Sequence, residues 1–347
     1  MNIKPLGVVV VTYNARTVIL DCLETLLAAA AADAVPLQLV IVDNASTDGT
    51  ADLVRNWASG QIRWDMPDDL PFECKAVAKP LMLGDATQSI SVTLLENSAN
   101  GGFAYGVNTG LAHLARDPQI ERFWVLNPDS AVPPRTPLAF ATYDAGPFSL
   151  MGSRLCYYDD PNIIQIDGGT INRKTGVTSN LGQYQTSAAT PAPEIEQIDF
   201  ISGASMVASR AFYEAAGPMP ENYFLYYEEV DWALQRGAMP LAYCPGGVVY
   251  HKAGASIGSA SLNRPASPFS VYFKHRARLQ FVRKFFASSL FSALAYSCAK
   301  AGQLLLKGYP NEASALIRAS FGMQPSAKVR AMLSPDAAKF ALNHPKL

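Results

Sequence analysis

Charged residues are few in this 347-residue chain, at 16% of the sequence, and neither sign dominates. The 28 lysines and arginines are balanced by 29 aspartates and glutamates, which leaves a formal net charge of -1. A chain without a basic surplus has no electrostatic reason to bind nucleic acid. We therefore expect no nucleic acid among its partners.

Cysteine is also scarce and is not paired. The five cysteines are far apart, odd in number and never spaced as C-x-x-C, which argues against a disulfide framework and against a zinc knuckle. The first residues, MNIKPLG, lack the charged start, the apolar stretch and the small-residue cleavage site of a secretory signal. These absences predict a cytoplasmic protein.

Two well-known nucleotide-binding patterns are absent as well. No G-x-G-x-x-G opens a helix after a strand, and the sequence contains no P-loop. The sequence therefore gives no support to a dinucleotide-dependent oxidoreductase or to a P-loop kinase.

What the sequence does contain is a succession of strand-helix units. VVVVTYN begins at Val8 with four β-branched residues that suit a strand buried on both faces, and LQLVIVDN repeats the pattern before a second helix. The alternation predicts an α/β fold with a mostly parallel sheet flanked by helices, the first of them over 16–32. Since parallel strands end at one edge, polar residues gather there: Thr12, Tyr13, Asn14, Asp43 and Asn44.

A glycine-rich helix follows the third predicted strand, over 90–95. Gly102, Gly106 and Gly110 recur every four residues in NGGFAYGVNTG and leave one helix face without side chains. That face suits either tight packing on the sheet or the close approach of a ligand, and Asn108 projects from the second turn. The segment 60–89, rich in Pro and Asp, is interpreted as a surface insertion.

Polar side chains follow two further strands. RFWVLNPD ends in Asn127 and Asp129, and the proline between them ends the strand because it has no amide hydrogen. GGVVYHKAG is a short strand that ends in His251. A lone aspartate is commonly a turn former and a lone histidine is commonly structural, so the two residues are informative only as a pair.

The stretch YFLYYEEVDWALQRG places three carboxylates among aromatic side chains. On a helix Glu228 and Asp231 share a face, whereas Glu229 projects elsewhere. Aromatic surface disfavours the anion and raises the pKa of a carboxyl group toward a value that suits a general base. An acidic helix N-terminus that complements the helix dipole explains the same residues without any chemistry.

Taken in order, seven motifs resemble the inverting family 2 glycosyltransferases of GT-A fold, and within them the rhamnosyltransferase-like branch. The motifs are VVVVTYN, VDNASTDGT, NGGFAYGVNTG, LNPD, SGASMV, YFLYYEEVDWALQR and VVYH. The resemblance covers residues 6–285. The chain departs from the family in the length of the 60–89 insertion and in Glu229, where many relatives have Asp.

The resemblance implies a Rossmann-like GT-A catalytic domain over 1–265, with a nucleotide-sugar half at 1–129 and an acceptor half at 130–265, followed by a helical extension over 266–347. It assigns Glu229 as the general base, and Asp231 either orients the acceptor or braces the turn. The implied acceptor-binding residues are Gly203, Ala204 and Glu228. The implied donor-binding residues are Thr12, Tyr13, Asn14, Asp43, Asn44, Gly102, Asn108 and Asn127.

The resemblance also implies a divalent metal, Mg²⁺ or Mn²⁺. Asn127 and Asp129 match the family's Asp-x-Asp motif with the first acid replaced, so Asp129 would be the anionic ligand, with His251 beside it. The implied reaction is a single displacement that inverts the anomeric carbon. Its donor would be dTDP-L-rhamnose, and its acceptor a glycan or a polyprenyl-linked glycan.

The C-terminal segment combines basic and aromatic residues in VYFKHRARLQFVRKFF. Residues 285–306 are mostly apolar but carry several serines, Lys300 and Gln303, which makes them a poor bilayer span. We expect 272–306 to lie on the inner face of the cell membrane as an amphipathic helix, to pack against the catalytic domain, or to join subunits of a homo-oligomer.

Three other functions are considered. The first is a transferase of the same family that uses a UDP-sugar, with galactofuranose or N-acetylglucosamine as the sugar. A nucleotidyltransferase would need a glycine-rich basic phosphate loop after the first strand, where this chain has TYNART. A non-catalytic nucleotide-sugar-binding protein would have no need of both Asp129 and Glu229.

Overall fold

The computed structural model describes residues 3–84, 89–252 and 266–342. Its centre is a nine-stranded sheet, with a separate two-stranded sheet of β8 and β9. The strands are β1 (Leu6–Thr12), β2 (Leu37–Asp43), β3 (Ile90–Glu96), β4 (Arg122–Leu126), β5 (Ser130–Ala131), β6 (Leu150–Tyr157), β7 (Ile164–Ile166), β8 (Gly169–Ile171), β9 (Thr178–Asn180), β10 (Ser205–Ser209) and β11 (Ala242–His251).

The helices follow the predicted alternation in the first half and continue past the sheet at the C-terminus. They are α1 (Ile19–Ala32), α2 (Thr50–Ala58), α3 (Phe103–Leu114), α4 (Thr136–Thr142), α5 (Arg210–Ala216), α6 (Glu228–Leu234), α7 (Pro268–Phe285), α8 (Leu290–Leu306), α9 (Pro310–Ser320), α10 (Ala327–Arg330) and α11 (Pro335–Leu342). The α/β fold predicted from the sequence is confirmed.

The strand order β3-β2-β1-β4-β10-β6-β11-β5 determines where the loops meet, and β7 pairs with β6. Strands β1 to β4 pair in parallel, β10 is antiparallel to both neighbours, and β6 and β11 are again parallel to each other. The carboxyl ends of β1, β2, β4, β6 and β11 therefore lie along one edge of the sheet, where α/β sheets bind their ligands.

Strand β1 is buried on both faces, as its valines predict. Val8 and Val10 pack into the core that includes α1, whereas Val9 and Val11 pack into the core that includes α3. All four side chains are at most 7% exposed. The alternation of side chains along the strand thus joins two hydrophobic layers through one central strand.

The glycines of α3 serve packing. A Cβ atom at Gly106 would lie 2.5 Å from Cγ1 of Val11, and one at Gly110 would lie 2.5 Å from Cγ1 of Val9. These two residues let α3 approach β1 closely, which is the first of the two explanations given for the bare helix face. Only Gly102, at the start of the helix, is placed to approach a ligand.

The segment 60–89 packs firmly on the domain over its described part. Glu24 of α1 is 1% exposed and accepts hydrogen bonds from Nε1 of Trp57 at 2.7 Å, Nζ of Lys79 at 2.8 Å and the N–H of Val77 at 2.8 Å. Farther along the segment, the ring of Phe72 stacks on Tyr250, with centroids 5.8 Å apart. The segment therefore buttresses the strand that ends in His251.

The C-terminal helices pack on the catalytic domain. The rings of Phe273 and Phe281 in α7 contact Phe224 and Tyr227, with centroids 5.2 and 5.4 Å apart. The helix predicted over 272–306 is broken after Phe285, where α7 ends, and α8 begins at Leu290. The predicted domain boundary at 265 and 266 adjoins residues 253–265, which are outside the described residues.

Removing the carboxylate of Glu24 tests how the segment is attached. In Glu24→Ala the ammonium of Lys79 and two N–H groups lose their partner, and we expect the free energy of unfolding to fall by about 3 kcal/mol. As the control, Glu121→Ala removes an exposed partner of Lys4 and should cost less than about 0.5 kcal/mol. Chemical denaturation measures both; equal stability of the two variants would contradict this attachment.

Candidate active site

A cleft of about 350 Å³ opens at the edge of the sheet where the parallel strands end. Residues from the ends of β1, β4 and β11, the start of α3 and the turn before α6 line it. Ten residues singled out from the sequence meet there: Tyr13, Asn44, Gly102, Asn127, Asp129, Gly203, Ala204, Glu228, Glu229 and His251. Five other predicted site residues lie outside its wall: Thr12, Asn14, Asp43, Asn108 and Asp231.

Thr12 and Asp43 lie directly behind the cleft. They are neighbours in the parallel ladder of β1 and β2, and both are buried. Oγ1 of Thr12 and Oδ1 of Asp43 have no hydrogen-bond partner among the described residues. Burial raises the pKa of Asp43, and hydrogen bonds from Ser46 offset part of that effect. Unpaired buried polar atoms are rare, so two of them next to Tyr13 mark a place where a ligand can bind.

The loops after β1 and β2 are tied together by amide side chains. Oδ1 of Asn14 accepts from the N–H of Thr47 at 2.8 Å, and the N–H of Asn14 donates to Oγ of Ser46 at 2.9 Å. Nδ2 of Asn44 donates to the carbonyl of Gly102 at 2.9 Å. Asn14 thus shapes the loops from outside the cleft, whereas Asn44 links the wall of the cleft to α3.

Asp129, Asn127 and His251 meet at the ends of β4 and β11. Nε2 of His251 lies 3.1 Å from Oδ1 of Asp129 and 3.2 Å from Nδ2 of Asn127. Nδ1 of His251 lies 2.7 Å from Oε1 of Gln165 in β7. Burial alone would raise the pKa of Asp129, but the imidazole of His251 brings it below its ordinary value. Asp129 is therefore an anion at neutral pH.

This arrangement fits a divalent cation. Oε1 of Gln165 accepts the N–H on Nδ1, so Nε2 is the ring nitrogen that faces Asp129, and its lone pair would be available to a cation that displaces the proton between the two residues. Oδ1 of Asp129 and Nε2 of His251 are 3.1 Å apart, so both could contact one cation. The described residues contain no cluster of three or more Asp, Glu, His or Cys side chains suited to a metal, so substrate and water would supply the other ligands.

A strained turn sets the position of Glu228 and Glu229 at the start of α6. Phe224, Tyr226 and Tyr227 have φ angles of 69°, 69° and 71°, a left-handed conformation that costs roughly 1–3 kcal/mol for such residues. The carbonyl of Phe224 accepts from the N–H of Phe103 at 3.1 Å, which holds the turn against α3. Strain maintained by surrounding contacts is typical of functional sites.

Glu229 has the properties of a general base. It is half-buried in the wall of the cleft, and this burial raises its pKa, while N–H groups at the start of α6 and the charge of Lys274 offset part of the effect. Glu228 is 4% exposed, and burial together with the charge of Glu229 raises its pKa well above the ordinary value. Burial and the neighbouring carboxylate thus both favour the neutral form of Glu228.

Asp231, expected among the catalytic residues, does not reach the cleft. It is fully buried and accepts from the hydroxyl of Tyr223 at 2.6 Å, the amide of Gln235 at 2.6 Å and the ammonium of Lys284 at 2.8 Å. Side chains two positions apart on a helix point about 200° apart around its axis, so the side chain of Asp231 points away from that of Glu229. Of the two roles considered for it, the structure assigns Asp231 to bracing the turn.

Asn108, expected to contact the donor, is also a structural residue. Its Nδ2 donates to the carbonyl of Met219 at 2.9 Å, and its Oδ1 accepts from the N–H of the same residue at 2.9 Å. A further hydrogen bond of 2.7 Å joins Nδ2 to Glu221. The side chain therefore clamps the loop after α5 onto α3, because it projects from α3 on the side away from the cleft.

Several residues of the cleft were not identified from the sequence. Phe269 of α7, Met332 and Leu333 after α10, and Ala337 of α11 close one side of it. These are ordinary apolar residues far along the chain, and no pattern distinguishes them. Gln165 gave no signal either, because it lies on a strand of three residues and its hydrogen bond is to His251, far along the chain.

The basic residues of α7 serve the protein interior. Arg278 is 2% exposed and donates to Oγ of Ser297 at 2.5 Å, and Arg276 donates to the carbonyl of Ala341 at 2.6 Å. Lys284 pairs with the bracing aspartate of α6. These contacts do not support the expected binding of this basic stretch to anionic lipid. In the part of the chain that the structure describes, every helix is too short or too polar to span a bilayer.

Solved structures of several glycosyltransferases share this fold. The mannosyltransferase PcManGT from Pyrobaculum calidifontis, in complex with GDP-Man and Mn²⁺, is 18% identical with a TM-score of 0.53, over 98% of this chain and 84% of that one. GalNAc-T7 with UDP, GalNAc and Mn²⁺ is 11% identical with a TM-score of 0.54, over 99% and 59%. S. aureus TarS 1-349 in complex with UDP-GlcNAc is 13% identical with a TM-score of 0.50, over 98% and 89%.

A comparison with curated proteins finds none that matches. The model of the glycosyl transferase family 2 matches residues 7–185, more than half of the chain. The matched region contains β1, β2, α3 and Asp129, and it ends before Glu229. The chain therefore belongs to glycosyltransferase family 2 and is a glycosyltransferase with the GT-A fold that its sequence motifs implied.

Proposed function

We propose that this glycosyltransferase moves a sugar from a nucleoside diphosphate to a hydroxyl group of a glycan acceptor by a single inverting displacement. The observation that carries the proposal is that Glu229 and the Asp129–His251 pair line the same cleft. The complexes of structurally similar enzymes with GDP-Man, with UDP-GlcNAc and with Mn²⁺ support this class of donor and a divalent metal.

The donor would bind along the ends of β1, β2 and β4. The unpaired Oδ1 of Asp43 is an acceptor for an N–H of the nucleobase, and Tyr13 offers a ring for stacking at the mouth of the same region. Gly102 lets the start of α3 lie against the turn before α6, because a Cβ atom there would be 2.3 Å from the carbonyl of Phe224. These residues would fix the position of the nucleotide, so that the donor sugar faces Glu229.

Glu229 would take the proton of the acceptor hydroxyl while the acceptor oxygen forms a bond to the anomeric carbon. The bond from that carbon to the diphosphate breaks in the same step, so the electron pair leaves with the diphosphate. Asp129 and His251 would hold Mn²⁺ or Mg²⁺, which when bound supplies positive charge to the leaving diphosphate. Inversion requires the base and the leaving group to lie on opposite sides of the anomeric carbon.

The sequence resemblance to the rhamnosyltransferase-like branch makes dTDP-L-rhamnose the first donor to test, with UDP-galactofuranose and UDP-N-acetylglucosamine as the alternatives. The proposed acceptor is a glycan or a polyprenyl-linked glycan. Peripheral contact with the inner face of the membrane and a homo-oligomer stay predictions. Phe291 and Leu306 of α8, which are 84% and 91% exposed, are the apolar side chains that such contacts would use.

A thermal-shift panel of nucleotide sugars tests the proposed donor class. At 100 times its dissociation constant a ligand stabilises the fold by about 2.7 kcal/mol, so dTDP-L-rhamnose with Mn²⁺ should raise the melting temperature measurably. We expect the shift to exceed that of dTDP with Mn²⁺. In Asp129→Asn the part of the shift that depends on Mn²⁺ should disappear. A chain indifferent to every nucleoside diphosphate, with and without metal, would contradict the proposal.

Substitution of Glu229 and of Asp231, two of the three acidic residues of α6, tests the catalytic assignment. Glu229→Gln keeps the shape of the side chain but cannot accept a proton, and we expect transfer to fall by about 10²–10⁴-fold while the donor-induced thermal shift is retained. The matched control Asp231→Asn should lower the free energy of unfolding by about 1–3 kcal/mol and retain transfer. Radiolabelled sugar incorporation measures both variants.

The pH dependence of transfer is a further test of the proposal that Glu229 is the base. Only ionised Glu229 accepts a proton, so the rate should be lost as the pH falls through its pKa. Because burial raises that pKa, the loss should begin at a higher pH than for an ordinary glutamate.

Full transfer by Glu229→Gln, together with inactivity of Asp231→Asn, would assign the base to Asp231.

A further inference from the structure

A second cavity of about 200 Å³ adjoins the cleft on the side of Glu229. The two share Ser202, Tyr226 and Glu229, so the base lies at their junction. The walls of the second cavity come from β6, β7 and β9, the turn before α6, and α7. None of the residues identified from the sequence, other than Glu229, belongs to this cavity.

The lining has the chemistry that recognises a sugar ring. Amide groups come from Gln165, Asn180 and Gln183, and hydroxyl groups come from Tyr157, Thr178 and Ser202. Apolar walls come from Ile166, Phe200 and Val230. Amides and hydroxyls exchange hydrogen bonds with sugar hydroxyls, and apolar side chains cover the C–H face of a ring. A volume of about 200 Å³ suits a single ring.

Gln165 connects this cavity to the Asp129–His251 pair. Its Oε1 lies 2.7 Å from Nδ1 of His251, whereas its Nε2 has no hydrogen-bond partner among the described residues. The residue is only 8% exposed. A buried donor without a partner carries a cost that a ligand oxygen removes. One amide thus holds the histidine at one end and has an unpartnered donor at the other, in a residue that lines the second cavity.

The charges of the lining balance. Among the described lining residues only Glu229 and Lys274 are charged, and they have opposite signs. Lys274 has an exposed side chain and is one of the residues that line the cavity. The attraction between Lys274 and Glu229 stabilises the ammonium form of the lysine and the carboxylate form of the glutamate. A cavity without net charge gives no preference to an anionic ligand.

Building on the function proposed above, we propose that the second cavity is the acceptor subsite and that it binds one uncharged, hydroxyl-rich sugar ring. The ring is held by Gln165, Asn180 and Gln183, with one hydroxyl facing Glu229. In the transfer that hydroxyl gives its proton to the carboxylate of Glu229 and its oxygen to the anomeric carbon of the donor sugar. The proposal makes Asn180 and Gln183 specificity-determining residues that do not contact the donor.

Ligand-observed saturation-transfer NMR on the full chain, with dTDP and Mg²⁺ present, tests the proposal. The probes are uncharged methyl glycosides of rhamnose, mannose, galactose and N-acetylglucosamine, with methyl glucuronide and glucose 6-phosphate as anionic counterparts. We expect at least one uncharged glycoside to receive saturation and both anionic probes to receive less. Asn180→Trp, which fills the cavity, should weaken the uncharged signal at least tenfold, and Gln183→Ala should weaken it as well.

The control Gln303→Trp adds the same side chain on the exposed face of α8 and should change nothing. The donor-induced thermal shift should be equal in all variants, which shows that each is folded. An undiminished signal in both cavity variants, binding of the anionic probes alone, or no bound glycoside in a protein that binds the donor would overturn the subsite and leave the transferase function intact. Failure of the wild-type chain to bind any nucleotide donor would overturn both.

Discussion

The approach of the Phe224 carbonyl to Gly102 is the contact on which the site depends. A Cβ atom at position 102 would lie 2.3 Å from that carbonyl, and Gly102 itself has a φ angle of 99°, which glycine adopts without strain. The same carbonyl accepts the N–H of Phe103 at 3.1 Å. This junction joins the nucleotide half of the sheet to the turn that leads into α6, and it places Glu229 in the same cleft as Asp129.

Buried polar groups then connect the parts of the site to one another. Gln165 bridges His251 and the second cavity, while Lys274 from the C-terminal helices lies beside Glu229. Asp231 is not available to a substrate, because its carboxylate oxygens accept hydrogen bonds from three donors. The C-terminal helices therefore contribute to the candidate active site, since they supply part of the wall of the cleft and place Lys274 beside Glu229.

Much of the fold was predictable because its signals are local. The valines of β1 and the turn at Asn127 to Asp129 follow from β-branching and from proline, and both appear where expected. Positions that depend on the rotation of a helix or on distant contacts were less predictable.

Asp231 and Asn108 illustrate why. Both were expected in the site from the family resemblance, but the helix start at Tyr227 turns Asp231 away, and Asn108 is hydrogen-bonded to the backbone of Met219. Lys274 belongs to the basic and aromatic stretch for which a membrane surface, the catalytic domain and a second subunit were all considered, and it lines the second cavity together with Glu229. To predict such contacts one needs the relative positions of the helices and strands, which sequence patterns do not give.

The most direct test of the central claim is the position of a bound metal relative to the base. Crystals grown with a nucleoside diphosphate and Mn²⁺, measured at the manganese absorption edge, would show the ion as an anomalous difference peak. The account predicts one peak at bonding distance from Oδ1 of Asp129 and Nε2 of His251, with the diphosphate against it and the carboxylate of Glu229 across the cleft. A peak remote from Asp129, or a diphosphate bound away from this cleft, would contradict it.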